Sequence, residues 1–216
     1  MILSKRYFGV FEHNRDLYTL NYSHGSLFGE RVLKINNQEY RYWDPYKSKL
    51  SAALYKNMGH FPFKKNSNIL YLGASFGNTV SFLSDICVEG NIFAIEKSVR
   101  SFKSLLSLAE QRKNVYPILE DANHPEKYEF FIKNIDIVYQ DIAQKNQAEI
   151  FNKNIRFLSN GGYGILALKT KAIDVTKSAK QVLEIERKKL KNVKETINIE
   201  PYEKEHYVLV SKYDQK

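Results

Sequence analysis

The sequence predicts an α/β fold with a mostly parallel seven-stranded sheet that contains one antiparallel strand and follows a small β-rich subdomain. Three observations support this fold class. Apolar runs of strand length alternate with stretches of helical spacing between residues 43 and 216. The first of these runs ends in a turn that contains Gly73. Only a handful of residues around Pro201 separate the last two predicted strands, so this pair should be antiparallel, because a parallel crossover needs a dozen or more.

Residues 1–42 differ from the rest of the chain, and we predict that they form a small antiparallel β subdomain. Short aromatic and β-branched runs alternate there with turn-like residues, and the runs are RYFGVFEH, DLYTLNY and ERVLKI. They contain too few apolar residues for a separate core. We therefore expect this sheet to pack on the α/β domain predicted for residues 43–216, or on a partner.

The predicted elements of residues 43–216 follow one another in a regular order. Asp44 and Pro45 are a plausible N-cap and first position for a helix that contains Leu50 and Leu54. The predicted strands are 69–72, 91–96, 115–119, 135–141, 163–168, 195–199 and 206–213. The other predicted helices cover 76–86, a segment capped by Ser98, 125–131, 147–158 and 177–191. A parallel sheet with one reversed strand near its end is typical of methyltransferases that use S-adenosylmethionine.

The strand, turn and helix over residues 69–79, ILYLGASFGNT, resemble the start of a nucleotide site. Gly73 and Gly77 allow the backbone to pass close to a ligand, and amides at the start of the helix would face it. Ser75 and Asn78 stand where the dinucleotide motif G-x-G-x-x-G has glycines, which argues against NAD and favours a ligand without a pyrophosphate. An ordinary strand–turn–helix corner is the alternative.

Polar residues follow several predicted strands at the edge where open α/β sheets bind ligands. Glu96 ends the second strand and is placed to accept hydrogen bonds from both ribose hydroxyls of a nucleoside. Asp121 follows the third strand, where a carboxylate could bind an adenine amino group. Asp141 and Lys169 end the fourth and fifth strands. The sequence therefore predicts a nucleoside site at this edge, although each acid taken alone is equally consistent with a helix cap.

Two further residues belong to the same edge if the predicted topology holds. His206 opens the reversed strand, and Lys49 lies near the start of a helix that runs opposite to the first strand. A lysine whose pKa is lowered by burial and a neighbouring lysine could accept the proton of a ribose hydroxyl or stabilise its alkoxide. Asp141 would orient a lysine and favour a cationic sulfonium. The residues leave open which lysine is the base.

Composition and charge limit the classes of partner. The chain has 216 residues, a formal net charge of +9 and a pI of about 9.3, which favours a polyanion such as nucleic acid or a membrane surface. No apolar run approaches the roughly 18 residues of a spanning helix, and MILSKRYF lacks a signal-peptide pattern, so we expect a cytoplasmic protein and no membrane. Cys87 is expected in the core, and the histidines show no metal-ligand spacing, so no metal site is expected.

Several collinear segments resemble the archaeal fibrillarin family over most of the chain, from about Tyr42 onwards. The segments are YWDPYKSKLSAAL, ILYLGASFGNT, NIFAIE, ILEDANHPEKY, YQDIAQKNQAEI, GGYGILALKTKAIDVTK and IEPYEKEHYVLV. The resemblance implies a Rossmann-like class I S-adenosylmethionine-dependent methyltransferase that methylates ribose 2′-hydroxyls of rRNA and tRNA, directed by a box C/D guide RNA. It also implies a Nop-type scaffold protein and a kink-turn-binding ribosomal-type protein as partners.

The resemblance implies roles for individual residues. It implies a catalytic set of Lys49, Asp141, Lys169 and His206. It implies S-adenosyl-L-methionine contacts at Gly73, Ala74, Asn78, Thr79, Glu96, Lys97, Asp121, Ala122, Asp141, Ile142, Ala143 and Gln144. The chain departs from the family pattern at Asn78, where threonine is usual, at Phe76, where glycine is common, and at Lys97, where an aromatic or apolar residue is usual. These departures bear on cofactor affinity and leave the catalytic set intact.

Two other functions are alternatives. A catalytically silent RNA-binding scaffold would keep the fold without binding S-adenosylmethionine, and an NAD-dependent oxidoreductase is disfavoured by the missing glycines. The sequence contains no RNA-recognition motif, repeat array or zinc knuckle, so we do not expect the chain to choose an RNA target unaided. Basic residues that could contact RNA phosphates, or simply be solvated, are Lys64, Lys65, Arg112, Lys113, Lys171, Lys177 and Lys180.

Overall fold

The computed structural model describes residues 1–214, whose strands form a five-stranded and a seven-stranded sheet. The strands are β1 Ile2–Leu3, β2 Val10–His13, β3 Asp16–Leu20, β4 Val32–Ile35, β5 Gln38–Tyr42, β6 Ile69–Leu72, β7 Ile92–Glu96, β8 Val115–Leu119, β9 Ile135–Gln140, β10 Leu158–Lys169, β11 Val193–Asn198 and β12 His206–Lys212. The helices are α1 Lys49–Tyr55, α2 Asn78–Ile86, α3 Val99–Gln111, α4 Gln147–Asn154, α5 Thr170–Ile173 and α6 Ala179–Lys189.

The large sheet has the order β11-β12-β10-β9-β6-β7-β8. Strands β10, β9, β6, β7 and β8 are parallel to one another, whereas β12 is antiparallel to both of its neighbours, β10 and β11. This confirms the predicted fold class, a mostly parallel sheet with one reversed strand. Because the central strands are parallel, their carboxyl ends meet at a single edge.

Several predicted boundaries were wrong for local reasons. Helix α1 begins after Ser48, whose hydroxyl accepts a hydrogen bond from the backbone N–H of Ser51. The predicted cap, Asp44, instead accepts from the N–H of Tyr46 and forms a turn. The helix predicted over 147–158 ends at Asn154, and β10 already begins at Leu158 with a register shift before residue 163.

Other elements were missed or assigned a different type. Strands β1 and β5 were not predicted, because β1 has only two residues, Ile2 and Leu3, and β5 mixes polar residues with tyrosines. The predicted helix over 125–131 is a pair of 3₁₀ turns, Pro125–Lys127 and Glu129–Phe131, and a third follows at Ile155–Phe157. Short 3₁₀ segments and the first turns of α-helices have similar compositions, so the sequence pattern does not distinguish one from the other.

The small sheet packs on α2, which confirms that it has no separate core. Trp43, directly after β5, is fully buried and stacks on Phe82 of α2 at a ring-centroid distance of 5.3 Å. Asp85 of α2 accepts hydrogen bonds from Nη1 of Arg41 on β5 and from Nη2 of Arg112, both at 2.8 Å. A buried ion-pair network therefore joins the two sheets. The division of the chain into domains at residue 42 stays a prediction.

Two expectations about single side chains have different outcomes. Arg112 was one of the basic residues that could contact RNA phosphates or be solvated, but its side chain is 3% exposed and paired with Asp85, so neither alternative holds. Cys87 is buried in the core as expected, and its burial raises the pKa of the thiol to about 12. Among the described residues, no helix has the length and apolar character needed to cross a membrane.

The ion pair between Glu30 and Arg41 should make the free energy of unfolding depend on pH, through the titration of Glu30. Burial alone would raise the pKa of Glu30, but the Arg41 guanidinium and the backbone N–H of Leu27 outweigh it and lower that pKa to about 2. The folded pKa lies below the unfolded value, so this stabilisation is present above about pH 4.5 and is lost as pH falls towards 2. It amounts to about 3 kcal/mol.

We expect Glu30→Gln to lower the free energy of unfolding at pH 7 by roughly that amount of about 3 kcal/mol, and by much less at pH 3, as measured by urea unfolding. Glu89→Gln is the control, because Glu89 forms an exposed pair with Lys65 and should change stability by about 0.5 kcal/mol or less. An equal loss at both pH values in Glu30→Gln would contradict the ion-pair explanation.

Candidate active site

Asp141 directly follows β9 and lies between two lysine ammonium groups. Its Oδ1 atom is 2.7 Å from Nζ of Lys169, and its Oδ2 atom is 3.4 Å from Nζ of Lys49. The three side chains are 14–18% exposed. Burial raises the pKa of Asp141, but the two ammonium groups outweigh it and hold that pKa below its usual value. Asp141 is therefore a carboxylate at neutral pH.

Lys169 is positioned by a buried glutamine that the sequence analysis did not identify. The side chain of Gln147, the first residue of α4, is fully buried and pairs with the backbone of Lys169. Its Oε1 atom accepts from the Lys169 N–H at 2.9 Å, and its Nε2 atom donates to the Lys169 carbonyl at 3.0 Å. These hydrogen bonds fix the end of β10 beside Asp141. A polar side chain on the apolar face of a predicted helix is the only sequence signal for this role.

His206 reaches the same edge because β12 is reversed. The first residue of β12, His206, pairs in register with the last residue of β10, Lys169. Nδ1 of His206 is 2.7 Å from the carbonyl oxygen of Lys204. A carbonyl only accepts hydrogen bonds, so Nδ1 donates this bond, and Nε2 is the ring nitrogen left for other partners. The tertiary structure thus brings Lys49, Asp141, Lys169 and His206 together at one edge of the sheet.

Glu203 connects two members of this catalytic cluster, Lys49, Asp141, Lys169 and His206, and it was missed by sequence analysis. Its Oε2 atom is 3.5 Å from Nζ of Lys49, and its Oε1 atom is 3.9 Å from Nε2 of His206. The carboxylate holds the loop before β12 against the start of α1. Glu203 lies within the family-like segment IEPYEKEHYVLV, but several other acids in that segment gave no reason to select it.

A cleft of about 290 Å³ opens beside Asp141 and Lys169. Most of the predicted cofactor residues line it, namely Gly73, Glu96, Lys97, Asp121, Ala122, Asp141, Ile142, Ala143 and Gln144. Ala74, Asn78 and Thr79 do not. Ala74 packs in the core, Nδ2 of Asn78 donates to the Lys47 carbonyl, and the Thr79 hydroxyl bonds to that of Ser48. The side chains of Asn78 and Thr79 therefore hold the segment that precedes Lys49.

Gly73 allows the turn after β6 to touch the backbone of Asp141. Its φ is +77°, and a Cβ atom there would lie 2.7 Å from the Asp141 carbonyl oxygen. Gly77, also expected near the ligand, does not line the cleft and instead packs against Leu105 and Leu108 of α3. Only the first glycine of the turn therefore shapes the site.

Two carboxylates at the far side of the cleft have defined partners. Glu96 accepts the N–H of Ser75 on Oε2 at 2.8 Å and the N–H of Ser98 on Oε1 at 2.7 Å. Each of its oxygens keeps a second lone pair for a ligand hydroxyl. Burial raises the pKa of Asp121, but hydrogen bonds from Asn123 and the charge of Lys97 outweigh it and lower that pKa. The Lys97 ammonium lies 3.5 Å from Asp121 at the mouth of the cleft.

A model of the fibrillarin family matches residues 2–215 of the chain. The chain belongs to the fibrillarin family. It is 44% identical over 195 residues to a fibrillarin-like rRNA/tRNA 2′-O-methyltransferase of Thermoplasma volcanium, and the match covers 89% of this chain and 87% of the relative. These findings confirm the resemblance that the sequence segments indicated.

Solved structures agree with this family membership. The chain resembles Aeropyrum pernix fibrillarin in complex with natively bound S-adenosyl-L-methionine, with a TM-score of 0.88 and 36% identity over 97% of this chain and 96% of that one. It also resembles a structure of a fibrillarin/Nop5p complex, with a TM-score of 0.87 and 35% identity over 96% and 98% of the two chains. Both matches cover nearly the whole of each chain, so the similarity extends over the entire fibrillarin fold.

The close contact at Gly73 can be tested by a matched pair of substitutions. Gly25 has nearly the same φ, +73°, but a Cβ there meets nothing within 4 Å. Gly25→Ala should therefore lower the free energy of unfolding by about 1 kcal/mol, the conformational cost alone. Gly73→Ala should lower it by roughly 3 kcal/mol, because the new methyl group also collides with Asp141. Urea unfolding measures both, and equal losses would show that the contact is unimportant.

Proposed function

We propose that this chain is an S-adenosyl-L-methionine-dependent RNA 2′-O-methyltransferase that acts on rRNA and tRNA. The observation that carries the proposal is the catalytic cluster, which borders a cleft lined by acids suited to a nucleoside. Family membership supports it. The name of the Thermoplasma volcanium relative, rRNA/tRNA 2′-O-methyltransferase, and the S-adenosyl-L-methionine bound to Aeropyrum pernix fibrillarin support it as well.

The residues of the cleft fit the proposed cofactor. The two free lone pairs of Glu96 match the vicinal hydroxyls of a ribose, and the Asp121 carboxylate lies on the same wall as an acceptor for the adenine amino group. Because Gly73 has no side chain, no side chain projects into the cleft at this position. The aliphatic stem of Lys97 would cover the adenine while its ammonium pairs with Asp121.

The catalytic cluster suits transfer to a ribose hydroxyl. When bound, S-adenosyl-L-methionine supplies a methyl group on a positively charged sulfonium. When the His206 ring is neutral, its Nε2 is a proton acceptor for the 2′-hydroxyl, and the ammonium groups of Lys49 and Lys169 are placed to stabilise the developing alkoxide. The Asp141 carboxylate holds both ammonium groups and favours positive charge in the neighbouring cleft. Holding these groups in place supplies much of the rate of such a reaction.

We further propose that the chain acts as the catalytic subunit of a box C/D ribonucleoprotein in rRNA and tRNA processing. Its similarity to the chain in the fibrillarin/Nop5p complex supports a Nop-type scaffold protein as a partner. A kink-turn-binding ribosomal-type protein and the guide RNA complete the proposed assembly. The exposed lysines 64, 113 and 180 are candidates for contacts with RNA phosphates, whereas the equally exposed Lys65, Lys171 and Lys177 pair with Glu89, Glu205 and Asp174. The cytoplasmic location stays a prediction.

Asp141→Asn tests the proposed reaction, because it removes the carboxylate and keeps the shape of the side chain. We expect methyl transfer to fall at least about a hundredfold, since two ammonium groups lose their shared partner. Transfer is measured with the reconstituted ribonucleoprotein, labelled S-adenosyl-L-methionine and mapping of the methylated ribose. Asp136→Asn is the control, because Asp136 lies on the same strand at the opposite end and bonds to the Asn68 N–H.

The outcomes of this experiment separate the alternatives. Activity close to that of the wild-type protein in Asp141→Asn would contradict the assigned role. A wild-type protein that assembles with RNA but neither binds S-adenosyl-L-methionine nor transfers methyl would instead support the catalytically silent scaffold.

Glu96→Gln tests the proposed ribose contact. We expect the dissociation constant for S-adenosyl-L-methionine to rise about tenfold or more, because hydrogen bonds to a charged acceptor are lost. Isothermal titration calorimetry measures it. Glu120→Gln removes a charge from the same cleft without touching the Glu96 contacts, and it should change the constant by about threefold or less. Equal effects of the two substitutions would show that only the charge of the cleft matters.

A further inference from the structure

Two tyrosines from distant loops meet beside the catalytic cluster. Tyr46, three residues before Lys49, is 65% exposed, and its ring meets that of Tyr202 edge to face at a centroid distance of 5.2 Å and 74° between planes. Tyr202 directly precedes Glu203 and packs in turn on Tyr55 of α1 at 5.7 Å. The two rings form an aromatic surface. Tyr55 supports this surface on the protein side, and the Tyr46 ring is open to solvent.

Contacts with the site hold both loops in place. Glu203 of one loop lies 3.5 Å from Lys49 at the end of the other. The carbonyl of Lys47, next to Tyr46, accepts from Asn78, and the carbonyl of Lys204 accepts from His206. The position of the two rings is therefore tied to the catalytic cluster by the same residues that build it.

The aromatic pair lies on the side of the cluster that the cleft leaves free. Asp141 and Lys169 line the cleft, whereas Lys49, Glu203 and His206 do not. A hydroxyl that receives a methyl group must sit between the cleft and these residues. The remainder of its nucleotide then has to extend out of the cleft, on the side where Tyr46 is exposed and the half-buried Tyr202 supports it.

Two lysines next to the tyrosines supply positive charge. Lys47 and Lys204 are exposed, and within residues 1–214 neither forms an ion pair. Exposed aromatic rings interleaved with free cations are typical of sites for single-stranded nucleic acid, where bases stack and phosphates pair with the cations.

We propose that Tyr46 and Tyr202, flanked by Lys47 and Lys204, bind the RNA nucleotide that is methylated, whose base stacks on the Tyr46 ring. This inference rests on the proposed function and assigns a binding site for the target base. Every base has a π-face, so stacking holds the nucleotide without reading its identity. Such a site suits an enzyme whose target is chosen by another component.

The test uses the reconstituted ribonucleoprotein and a substrate RNA with 2-aminopurine at the methylated position. Stacking quenches 2-aminopurine, so its emission should fall on binding to the wild-type protein and to Tyr46→Phe, and stay high with Tyr46→Ala. With unmodified RNA, Tyr46→Ala should raise KM for the RNA about tenfold, with kcat within about threefold. The dissociation constant for S-adenosyl-L-methionine should be unchanged, which a general loss of structure would not allow.

Tyr22→Ala is the control, because Tyr22 is a similarly exposed tyrosine that lines a different cleft. It should leave the emission and KM unchanged. The proposal is overturned if Tyr46→Ala and Tyr202→Ala both quench and turn over RNA like the wild-type protein. Quenching is read without methyl transfer, so wild-type quenching that Tyr46→Ala abolishes supports the stacking site even if no methyl group is transferred.

Discussion

The ion pairs of Asp141 with Lys49 and Lys169 are the interaction on which the site depends. Two ammonium groups do not share a small, partly buried space unless an anion lies between them, because their repulsion grows as water is removed. Asp141 is separated from Lys49 by 92 residues and from Lys169 by 28, so only the folded sheet brings the three groups together. The turn after β6 contacts the backbone of Asp141 directly at Gly73. This contact fixes the position of Asp141 at the edge of the sheet.

A second network of ion pairs attaches the small sheet to α2. Arg41, Asp85, Arg112 and Glu30 are buried, and each has at least one oppositely charged partner among the others. Such a network is costly to desolvate and still more costly to break, so it favours one orientation of the small sheet on α2. It also removes two arginines from the surface. It removes two acids, Glu30 and Asp85, as well, so the network is neutral and the net charge of the remaining surface is unchanged.

The proposed contacts with RNA involve only groups that all nucleotides share. In these proposals the cluster of Lys49, Asp141, Lys169 and His206 acts on a ribose hydroxyl, the tyrosine pair offers a surface for any base, and exposed lysines suit phosphates. None of these contacts distinguishes one sequence from another. This matches a subunit that performs the chemistry while base pairing with a guide selects the nucleotide.

The fold class and most of the catalytic residues could be predicted because they follow from local patterns. Apolar runs mark the strands from β6 onwards, a short connection requires the antiparallel end, and polar residues at strand ends mark the edge of the site. Element ends were less certain. Asp44 and Ser48 are both good caps, and which one is used depends on the bond of Thr79 to Ser48, which joins α2 to the start of α1.

By itself, the sequence determined the order of the strands along the chain, the reversed ending and the set Lys49, Asp141, Lys169 and His206. Only the tertiary structure decided that Glu203 connects Lys49 with His206, that Gln147 holds Lys169, and that Arg112 is buried. Periodicity and spacing report interactions between near neighbours in the chain. Glu203, Gln147 and Arg112 pair with Lys49, Lys169 and Asp85, which are more than twenty residues away and reach their positions only once the sheet has formed.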